Sequence, residues 1–427
     1  MNVVDSEVVA AILQQQKYQL TGEIGEADLI LINTCSIREN AEQRVRARLR
    51  EFRKIKEQHR EVTVGIIGCM AERLKEQLLS EEPVVDLVVG PDAYRRLPVL
   101  LDNLQRGQKG VDTVLSAEET YDDIDPVRMD RNHVTSFVSV MRGCDNYCAY
   151  CVVPGTRGRE RSRDPGTIVG EARTLFRKGY REVTLLGQNV NSYRWERGEQ
   201  TVTFERLLEL VAGIDPLLRV RFATSHPKDM TNDLLKVMAR YPNLCRSIHL
   251  PVQSGSTEVL KRMKRGYSRE GYMDRVVAIR GYLPGATLST DIIAGFCGET
   301  EQDHAQTLSL MEWAGYDFAY MFKYSERPGT LAARRYADDV PEKVKTRRLN
   351  EIIELQRKLS LSAKEKEIGS TLEVLVEGTS KKSGDHLYGR SSRNMVVVFP
   401  RGNFKPGDYV QVRVTGCTSA TLLGDPA

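Results

Sequence analysis

Three cysteines, Cys144, Cys148 and Cys151, stand within one stretch of eight residues. Three thiolates hold three irons of a [4Fe–4S] cube and leave the fourth iron open. An open metal position is what distinguishes a site that binds substrate from a purely structural one. The alternative is a structural zinc site, but a fourth ligand would be needed and His133 lies eleven residues upstream, beyond a predicted strand. The spacing therefore favours a cluster that binds a substrate.

Cys35 and Cys69 each directly follow a predicted parallel strand, which is where ligands bind in doubly wound sheets. The matched positions favour a second, shared cluster over simple packing. Two thiolates are too few for a cube with one open iron, so a third ligand has to come from elsewhere. Cys245, Cys297 and Cys417 have no partner at ligand spacing and are predicted to be buried small hydrophobic residues.

The elements that position these cysteines fall into three regions. The first region, residues 1–122, is predicted to be a doubly wound parallel sheet. Strands are predicted at 28–33, 63–67 and 86–90, and helices at 6–16, 38–58 and 71–79. The opening helix has no strand before it, which is unusual for this fold. Residues 118–131 are acidic and polar and are predicted to be a linker.

The second region, residues 130–365, is predicted to be a partial (βα)6 barrel, because six apolar runs alternate with helical patterns. These runs are 137–141, 183–186, 219–224, 247–251, 287–293 and 318–324. In such barrels the chemistry takes place at the C-terminal ends of the strands. Polar residues near these ends are predicted cofactor contacts, although each one alone is as readily a loop-capping group: Gln188, Asn189, Ser225, Gln253 and Asp291. His226 precedes Pro227 and is also interpretable as a turn residue.

The third region, residues 366–427, has short alternating runs separated by glycine- and proline-containing turns, which predicts a small all-β barrel. A charged helix at 342–366 joins it to the second region. The whole chain has 427 residues, a net charge of +4 and eight cysteines. This charge is too small to establish nucleic-acid binding, and the cysteines are too few for a disulfide scaffold. We see no signal peptide and no apolar run near the roughly 18–20 residues that cross a bilayer, so we expect a cytoplasmic protein without membrane contact.

Five segments carry a resemblance to the radical-SAM methylthiotransferases, and it covers essentially the whole chain. They are MRGCDNYCAYCVVPGTRGRERSR (141–163), LLGQNVNSY (185–193), TSHPKDM (224–230), HLPVQSGS (249–256) and TDIIAGFCGET (290–300). The resemblance implies an N-terminal domain with a second [4Fe–4S] cluster, a radical-SAM core and a C-terminal TRAM domain. Among the subfamilies, the chain is most similar to the bacterial enzymes acting on N6-isopentenyladenosine in tRNA. Alternatives are enzymes for threonylcarbamoyl-adenosine or for a ribosomal-protein aspartate, and a non-catalytic iron–sulfur RNA-binding protein.

The resemblance also assigns roles to single residues. Cys35 and Cys69 match the second and third cysteines of the family's N-terminal cluster. The first normally lies in a GCQMN motif; the chain starts at the tail of that motif, and we expect that it lacks its true N-terminus. Tyr150 fits the aromatic position before the last loop cysteine, and it is included among the predicted cofactor contacts. Gly155 stands where the family usually has tyrosine, so the loop beside the cluster is expected to differ.

The reaction implied by the resemblance uses two molecules of S-adenosylmethionine. One methylates a sulfur at the N-terminal cluster; the other is cleaved at the loop cluster, and the resulting radical takes hydrogen from C2 of the adenine. The expected partners are tRNA and an electron donor such as flavodoxin or ferredoxin, and the protein is expected to be a monomer. Two groups of basic residues are predicted RNA contacts, with a face of salt bridges as the alternative for the first: Arg157, Arg159, Arg161 and Arg163, then Lys381, Lys382, Arg390 and Arg393.

Overall fold

The structure is a computed structural model that describes residues 1–36, 39–130 and 132–427. The first residue of the predicted helix at 38–58 and the last residue of the predicted linker at 118–131 lie outside the described residues. In the described part of the chain, the helices lack the combination of length and apolar sequence that crossing a membrane requires.

The N-terminal region contains a four-stranded sheet of parallel strands in the order β1-β2-β3-β4. Its strands are β1 (Leu29–Thr34), β2 (Thr63–Gly68), β3 (Leu87–Val89) and β4 (Gly110–Asp112). Its helices are α1 (Asn2–Gln15), α2 (Glu39–Gln58), α3 (Cys69–Leu74), α4 (Glu76–Glu81) and α5 (Leu97–Gln105), with short 3-10 turns at Ile24–Glu26 and Tyr94–Arg96.

Both faces of this sheet are covered, which confirms the doubly wound prediction. Alternate residues of β2 face opposite sides: Ile67 packs with α1 and α5, while Val64 and Ile66 pack with α2. Because each strand is buried on two sides, its sequence is a continuous apolar run rather than an alternating one. The strand β4 was not predicted.

The central region holds the predicted partial barrel. Its main strands are β5 (Thr135–Ser139), β8 (Glu182–Leu186), β11 (Arg219–Ala223), β12 (Ser247–His249), β13 (Thr287–Ala294) and β14 (Phe318–Lys323). The short strands β6 (Met141–Arg142), β7 (Arg161–Ser162), β9 (Arg194–Arg197) and β10 (Gln200–Thr203) form two small ribbons. The helices are α6 (Val153–Arg157), α7 (Pro165–Arg177), α8 (Phe204–Ala212), α9 (Asn232–Arg240), α10 (Thr257–Arg262), α11 (Arg269–Tyr282), α12 (Glu301–Ala314), α13 (Leu331–Arg335) and α14 (Glu342–Glu365), with 3-10 turns at Val190–Ser192 and Pro227–Asp229.

The main strands of the barrel are parallel and run in the order β5-β8-β11-β12-β13-β14. Two three-stranded sheets, β5-β8-β11 and β12-β13-β14, are joined by a parallel bridge between Val220 and Leu244. One face of the strands, which includes Val183, Val220 and Ile248, packs against the outer helices in a single core. The other face therefore lines the inside of the barrel, and β5 and β14 are its two edges.

The C-terminal region is a closed barrel in the order β15-β16-β17-β19-β18, as predicted. Its strands are β15 (Thr371–Thr379), β16 (His386–Ser391), β17 (Val396–Pro400), β18 (Tyr409–Cys417) and β19 (Leu422–Pro426). It docks at the N-terminal ends of the central strands. Arg221 donates to the carbonyls of Ser391 and Ser392 at 2.7 and 3.1 Å, and the Thr287 hydroxyl donates to the Arg393 carbonyl at 2.7 Å.

The N-terminal domain docks near the opposite end of the barrel through buried ion pairs. Asp5 of α1 pairs with Arg142 at 3.0 Å and with Arg157 at 2.5 Å. Asp92 pairs with Arg161 at 3.0 Å. Burial by itself would raise the pKa of Asp5, but the neighbouring guanidinium groups outweigh burial and hold that pKa below its usual value. The Asp5 carboxylate is therefore charged at the domain interface, whereas burial raises the pKa of Asp92 above its usual value.

Candidate functional site

The loop with the three cysteines begins directly after β6 and is held by backbone hydrogen bonds. Gly143 opens it at φ +78°, and a Cβ there would lie 1.8 Å from the Arg159 carbonyl oxygen, so a side chain is excluded. The Cys144 N–H donates to the Gly158 carbonyl at 3.2 Å, and the Ala149 N–H donates to the Met263 carbonyl at 2.9 Å. The loop is thus fixed to two separate segments of the barrel.

The surroundings of the loop thiols fit an iron–sulfur cluster. Burial raises the pKa of Cys144 to about 11 and that of Cys151 to about 12, so iron has to displace protons when it binds. The Arg265 guanidinium donates to Cys148 Sγ at 3.2 Å, and the Val153 N–H donates to Cys151 Sγ at 3.5 Å. Such donors stabilise the negative charge of cluster-bound sulfur.

The described residues do not present a ready-formed site for a single metal ion. Among the described residues, no three histidine, cysteine, aspartate or glutamate side chains are grouped as ligands of one ion. A cube instead takes one thiolate on each iron, which spreads the thiolates apart.

Several polar atoms at the mouth of the barrel are buried without a partner in the described residues, which leaves them available to a polar ligand. These atoms, unpaired within the described residues, are the side-chain amide of Gln188, Asn189 Oδ1, Ser225 Oγ and His226 Nε2. Leaving a buried polar atom unpaired costs about 1–3 kcal/mol each, so a group of them indicates that a ligand completes the site. A cofactor with many polar groups, such as S-adenosylmethionine, fits this requirement.

His226, which sequence reasoning left open as a turn residue, belongs to this group of buried polar side chains. Its Nδ1 accepts a hydrogen bond from the Lys228 N–H at 3.3 Å. Burial, followed by the charges of Arg265 and Lys228, lowers the pKa of His226 to about 2, so the ring is neutral. A neutral ring that accepts at Nδ1 carries its proton on Nε2, which is therefore a buried donor without a partner among the described residues. Its place directly after β11 was the available signal.

The remaining predicted cofactor contacts lie around the same mouth. The Gln253 N–H donates to the Asp291 carbonyl at 2.8 Å, and Gln253 has φ +73°, an uncommon backbone conformation for this residue type. The Asp291 carboxylate is 3.4 Å from His249 Nε2. The Tyr150 hydroxyl accepts from Arg265 at 3.4 Å, and its ring packs edge-on against Phe296. Tyr150 thus shares the Arg265 guanidinium with the Cys148 sulfur.

Cys35 and Cys69 lie side by side at the end of the N-terminal sheet. The register pairs Thr34 with Gly68, so each cysteine directly follows the last paired residue of one of two neighbouring strands, and Cys69 begins α3. The Arg157 Nε donates to Cys69 Sγ at 3.1 Å. Its Nη1 is buried and finds no partner in the described part of the chain. Two thiols, with the Arg157 guanidinium able to donate a further hydrogen bond beside them, fit two of the three thiolate positions that the resemblance implies.

Burial contradicts most of the predicted arginine group for RNA phosphates. Arg157, Arg161 and Arg163 are 3%, 6% and 7% exposed, and they pair with Asp5, Asp92 and Glu171 respectively. The prediction of phosphate contact is therefore wrong for these three, because they join elements inside the protein. Arg159, with 80% of its side chain exposed, remains accessible.

The predicted basic residues of the C-terminal barrel divide in a similar way. Lys381 and Lys382 are exposed in the turn after β15. Arg390 and Arg393 are only partly exposed and pair with Glu377 and Glu367. The two lysines are the better placed for contact with a phosphate backbone.

Comparison with known proteins finds three family models along the chain. Residues 1–90 match an uncharacterized protein family, UPF0004; residues 138–311 match the radical SAM superfamily; and residues 365–427 match the TRAM domain. Among solved structures, the radical S-adenosylmethionine methyltransferase TsrM from Kitasatospora setae is similar with a TM-score of 0.58 at 16% identity, covering 78% of this chain and 72% of that one. This last likeness concerns the fold alone.

Curated relatives are similar over the full length. A tRNA-2-methylthio-N(6)-dimethylallyladenosine synthase of Bacteroides fragilis is 55% identical over 426 residues, which is 100% of this chain and 93% of the relative. The protein of the same name from Amoebophilus asiaticus is 55% identical over 437 residues, covering 100% of this chain and 90% of the relative. With its cysteine loop at the mouth of a radical-SAM barrel and a TRAM domain behind it, the chain belongs to the family of radical-SAM tRNA methylthiotransferases represented by these synthases.

Proposed function

We propose that this protein converts N6-dimethylallyladenosine beside the anticodon of tRNA to its 2-methylthio derivative. The full-length identity of 55% to synthases named for this product carries the proposal. Cys144, Cys148 and Cys151 would hold one [4Fe–4S] cluster, and Cys35 and Cys69 would supply two thiolates of the second. When bound, the clusters and S-adenosylmethionine supply a one-electron cleavage that yields an oxidising carbon radical.

The protein's own residues contribute binding, orientation and the exclusion of water. Arg265 and the Val153 N–H stabilise the charge on the loop thiolates. The unpaired polar atoms of Gln188, Ser225 and His226 orient the cofactor at the mouth. A C2–H bond of adenine is beyond side-chain acid–base chemistry, so the protein's role is to hold this bond close to the reactive carbon.

The tRNA has to meet both the mouth of the barrel and the C-terminal domain. In our proposal, Arg159, Lys381 and Lys382 contact phosphates, while the target base is turned out of the stacked anticodon loop. Removing Lys381 and Lys382 together should then weaken binding of different tRNAs equally and lower the salt dependence of log Kd by about 2. The proposal further includes a flavodoxin or ferredoxin as electron donor, a cytoplasmic location with the substrate, and action as a monomer.

Two measurements test the function. Reconstituted protein, incubated anaerobically with S-adenosylmethionine and a reductant, should release 5′-deoxyadenosine, whereas a non-catalytic RNA-binding protein would release none. Mass spectrometry of tRNA nucleosides from a strain without this protein should then show N6-dimethylallyladenosine in place of its 2-methylthio derivative. Persistence of the 2-methylthio nucleoside in that strain would contradict the proposal, and loss of a methylthiolated threonylcarbamoyl-adenosine would assign the related substrate instead.

A further inference from the structure

The inner face of one half of the barrel carries a row of rings. Parallel pairing sets His249 beside Ser289 and Ser289 beside Phe318, and one step higher it sets Asp291 beside Tyr320. Residues paired across neighbouring strands point to the same face of a sheet. The rings are in contact, since Phe318 and Tyr320 lie 4.8 Å apart edge to face and the His249 ring lies 5.8 Å from Tyr320. We call these five residues the lumen face.

The lumen face lies on the inside of the barrel, because the residues on the opposite face of the same strands are buried. Ile248, Ile292 and Ala319 are almost fully buried, and the first two belong to the core beneath the outer helices. Phe318 and Tyr320, which alternate with Ala319 in β14, are 48% and 49% exposed. Large aromatic side chains on a barrel strand are thus left open towards the lumen instead of being packed.

The other edge strand has a matching residue. Phe137 of β5 alternates with the fully buried Val138, and it is 39% exposed. Its neighbours across the sheet are Thr184 and then Arg221, which also point into the lumen. Because β5 and β14 are the two ends of the strand order, exposed aromatic rings border the open side of the barrel from both edges.

The charges in the lumen indicate what kind of group it accepts. Arg221 pairs with Glu182 at 2.8 Å and donates to two carbonyls of the C-terminal barrel, so its charge is compensated. The lumen face itself carries the acidic Asp291, beside His249. A substituent with a carboxylate would be repelled by Asp291, and the lumen residues named here offer no unpaired cation to compensate. An uncharged, apolar substituent would instead contact the aromatic rings.

The lumen face is continuous with the cofactor site. Gln253 forms a parallel bridge with Ile292, directly after Asp291. Its backbone N–H donates to the Asp291 carbonyl at 2.8 Å. A ligand that contacts the rings therefore lies directly beside the mouth of the barrel, where the unpaired polar atoms are grouped.

We propose that Phe318 and Tyr320, faced by Phe137, form the binding surface for the target adenine and its apolar N6 substituent, and that they set the preference for a prenyl group over an anionic one. This inference rests on the proposed function, of which it names the specificity-determining residues. Stacking on an aromatic ring holds a base without regard to its pairing edge, and the five-carbon prenyl group adds apolar contact with the neighbouring ring.

The test compares binding of two anticodon stem–loop RNAs of identical sequence, one with N6-dimethylallyladenosine and one with the anionic N6-threonylcarbamoyladenosine at the target position. Fluorescence anisotropy with the reconstituted wild-type protein gives the ratio of the two Kd values. In the double variant Phe318→Ala/Tyr320→Ala we expect the dimethylallyl RNA to bind about tenfold or more weakly, as for loss of one stacked base, and the ratio to approach one. Tyr320→Phe should retain the ratio, because the ring is kept.

Controls separate the outcomes. Tyr282→Ala removes an exposed tyrosine at the end of α11, outside the lumen, and should leave both Kd values unchanged. Iron content and the thermal unfolding midpoint of each variant must equal those of the wild type, since otherwise a folding defect explains the loss. An unchanged Kd ratio in the double variant, with wild-type protein still forming the methylthio nucleoside, would overturn this inference and leave the proposed function intact. Absence of that product from the wild-type protein would instead contradict the function.

Discussion

The two groups of cysteines differ in how the chain assembles them. Cys144, Cys148 and Cys151 belong to one short loop. Cys35 and Cys69 come from the ends of two strands, and the donor to Cys69 comes from Arg157 of the neighbouring domain. The loop site is supported within one domain, by Met263 and Arg265, whereas a site built across a domain interface depends on the packing of both domains. Substitutions at the domain interface should therefore impair the second site and spare the first.

The largest expected effect comes from removing one thiol of each group in the full-length protein. Cys148→Ala should reduce 5′-deoxyadenosine formation to the level of the protein-free control, because the cofactor loses its cluster. Cys69→Ala should abolish the methylthio product while 5′-deoxyadenosine still forms. Iron analysis of each variant should show a fall from about eight irons to about four. If Cys69→Ala also stopped cofactor cleavage, the two sites would not be independent.

The next effect concerns Arg157, compared with Arg159 two residues later. Arg157→Met leaves the buried Asp5 with Arg142 alone and removes the donor to Cys69. We expect a loss of about 3 kcal/mol in the free energy of unfolding of the apo-protein, measured by chemical denaturation. Arg159→Met, at an exposed side chain, should change it by less than about 0.5 kcal/mol. Equal effects of the two substitutions would show that the domain interface does not support the site formed by Cys35 and Cys69.

The stability of the protein should also depend on pH through a residue close to Cys69. Burial raises the pKa of Glu72, three residues after Cys69, from 4.5 to about 7. The folded protein then holds a proton that the unfolded chain releases, so this residue makes the protein less stable as pH rises from 4.5 through about 7. Glu72→Gln should remove this part of the decline in the thermal unfolding midpoint, measured from about pH 5 to about pH 8. A wild-type slope that persists in Glu72→Gln would assign it to another group.

The smallest effect is expected at Gly155, on the helix α6 that connects Cys151 with Arg157. A Cβ at this position would meet no atom within 4 Å. Gly155→Ala should therefore raise the free energy of unfolding by up to about 1 kcal/mol through the lower entropy of the unfolded chain. Cofactor cleavage and iron content should be unchanged. A decrease in iron content would show that α6 has to remain free of side chains at this point to join the two sites.

The fold could be predicted from the sequence because its strands are strongly patterned. The predicted strand at 287–293 corresponds to β13 (Thr287–Ala294), and the predicted helix at 342–366 corresponds to α14 (Glu342–Glu365). The strand β4 (GVD) and the ribbon of β6 and β7 were missed, since each of these strands has only one apolar residue or none and gives no apolar run.

The site was predictable where neighbouring residues form it and where its residues follow a predicted strand. The three loop cysteines need no knowledge of tertiary structure. Arg157 was misassigned because its partner Asp5 is 152 residues away in the chain, and a run of arginines reads the same whether it is exposed or buried. The lumen face was missed because β14 (FAYMFK) is apolar on both sides in the sequence, and the register of the sheet is required to separate the residues that pack from those that remain open.

The docking of the C-terminal barrel has a consequence for the shape of the RNA. Arg221 and Thr287 attach that barrel beneath the starts of the central strands, whereas the cluster loop lies above their ends. The eight residues of β13 span this gap, about 26 Å at about 3.3 Å per residue. An RNA that contacts the cluster loop and the C-terminal barrel at the same time therefore has to extend over at least this distance.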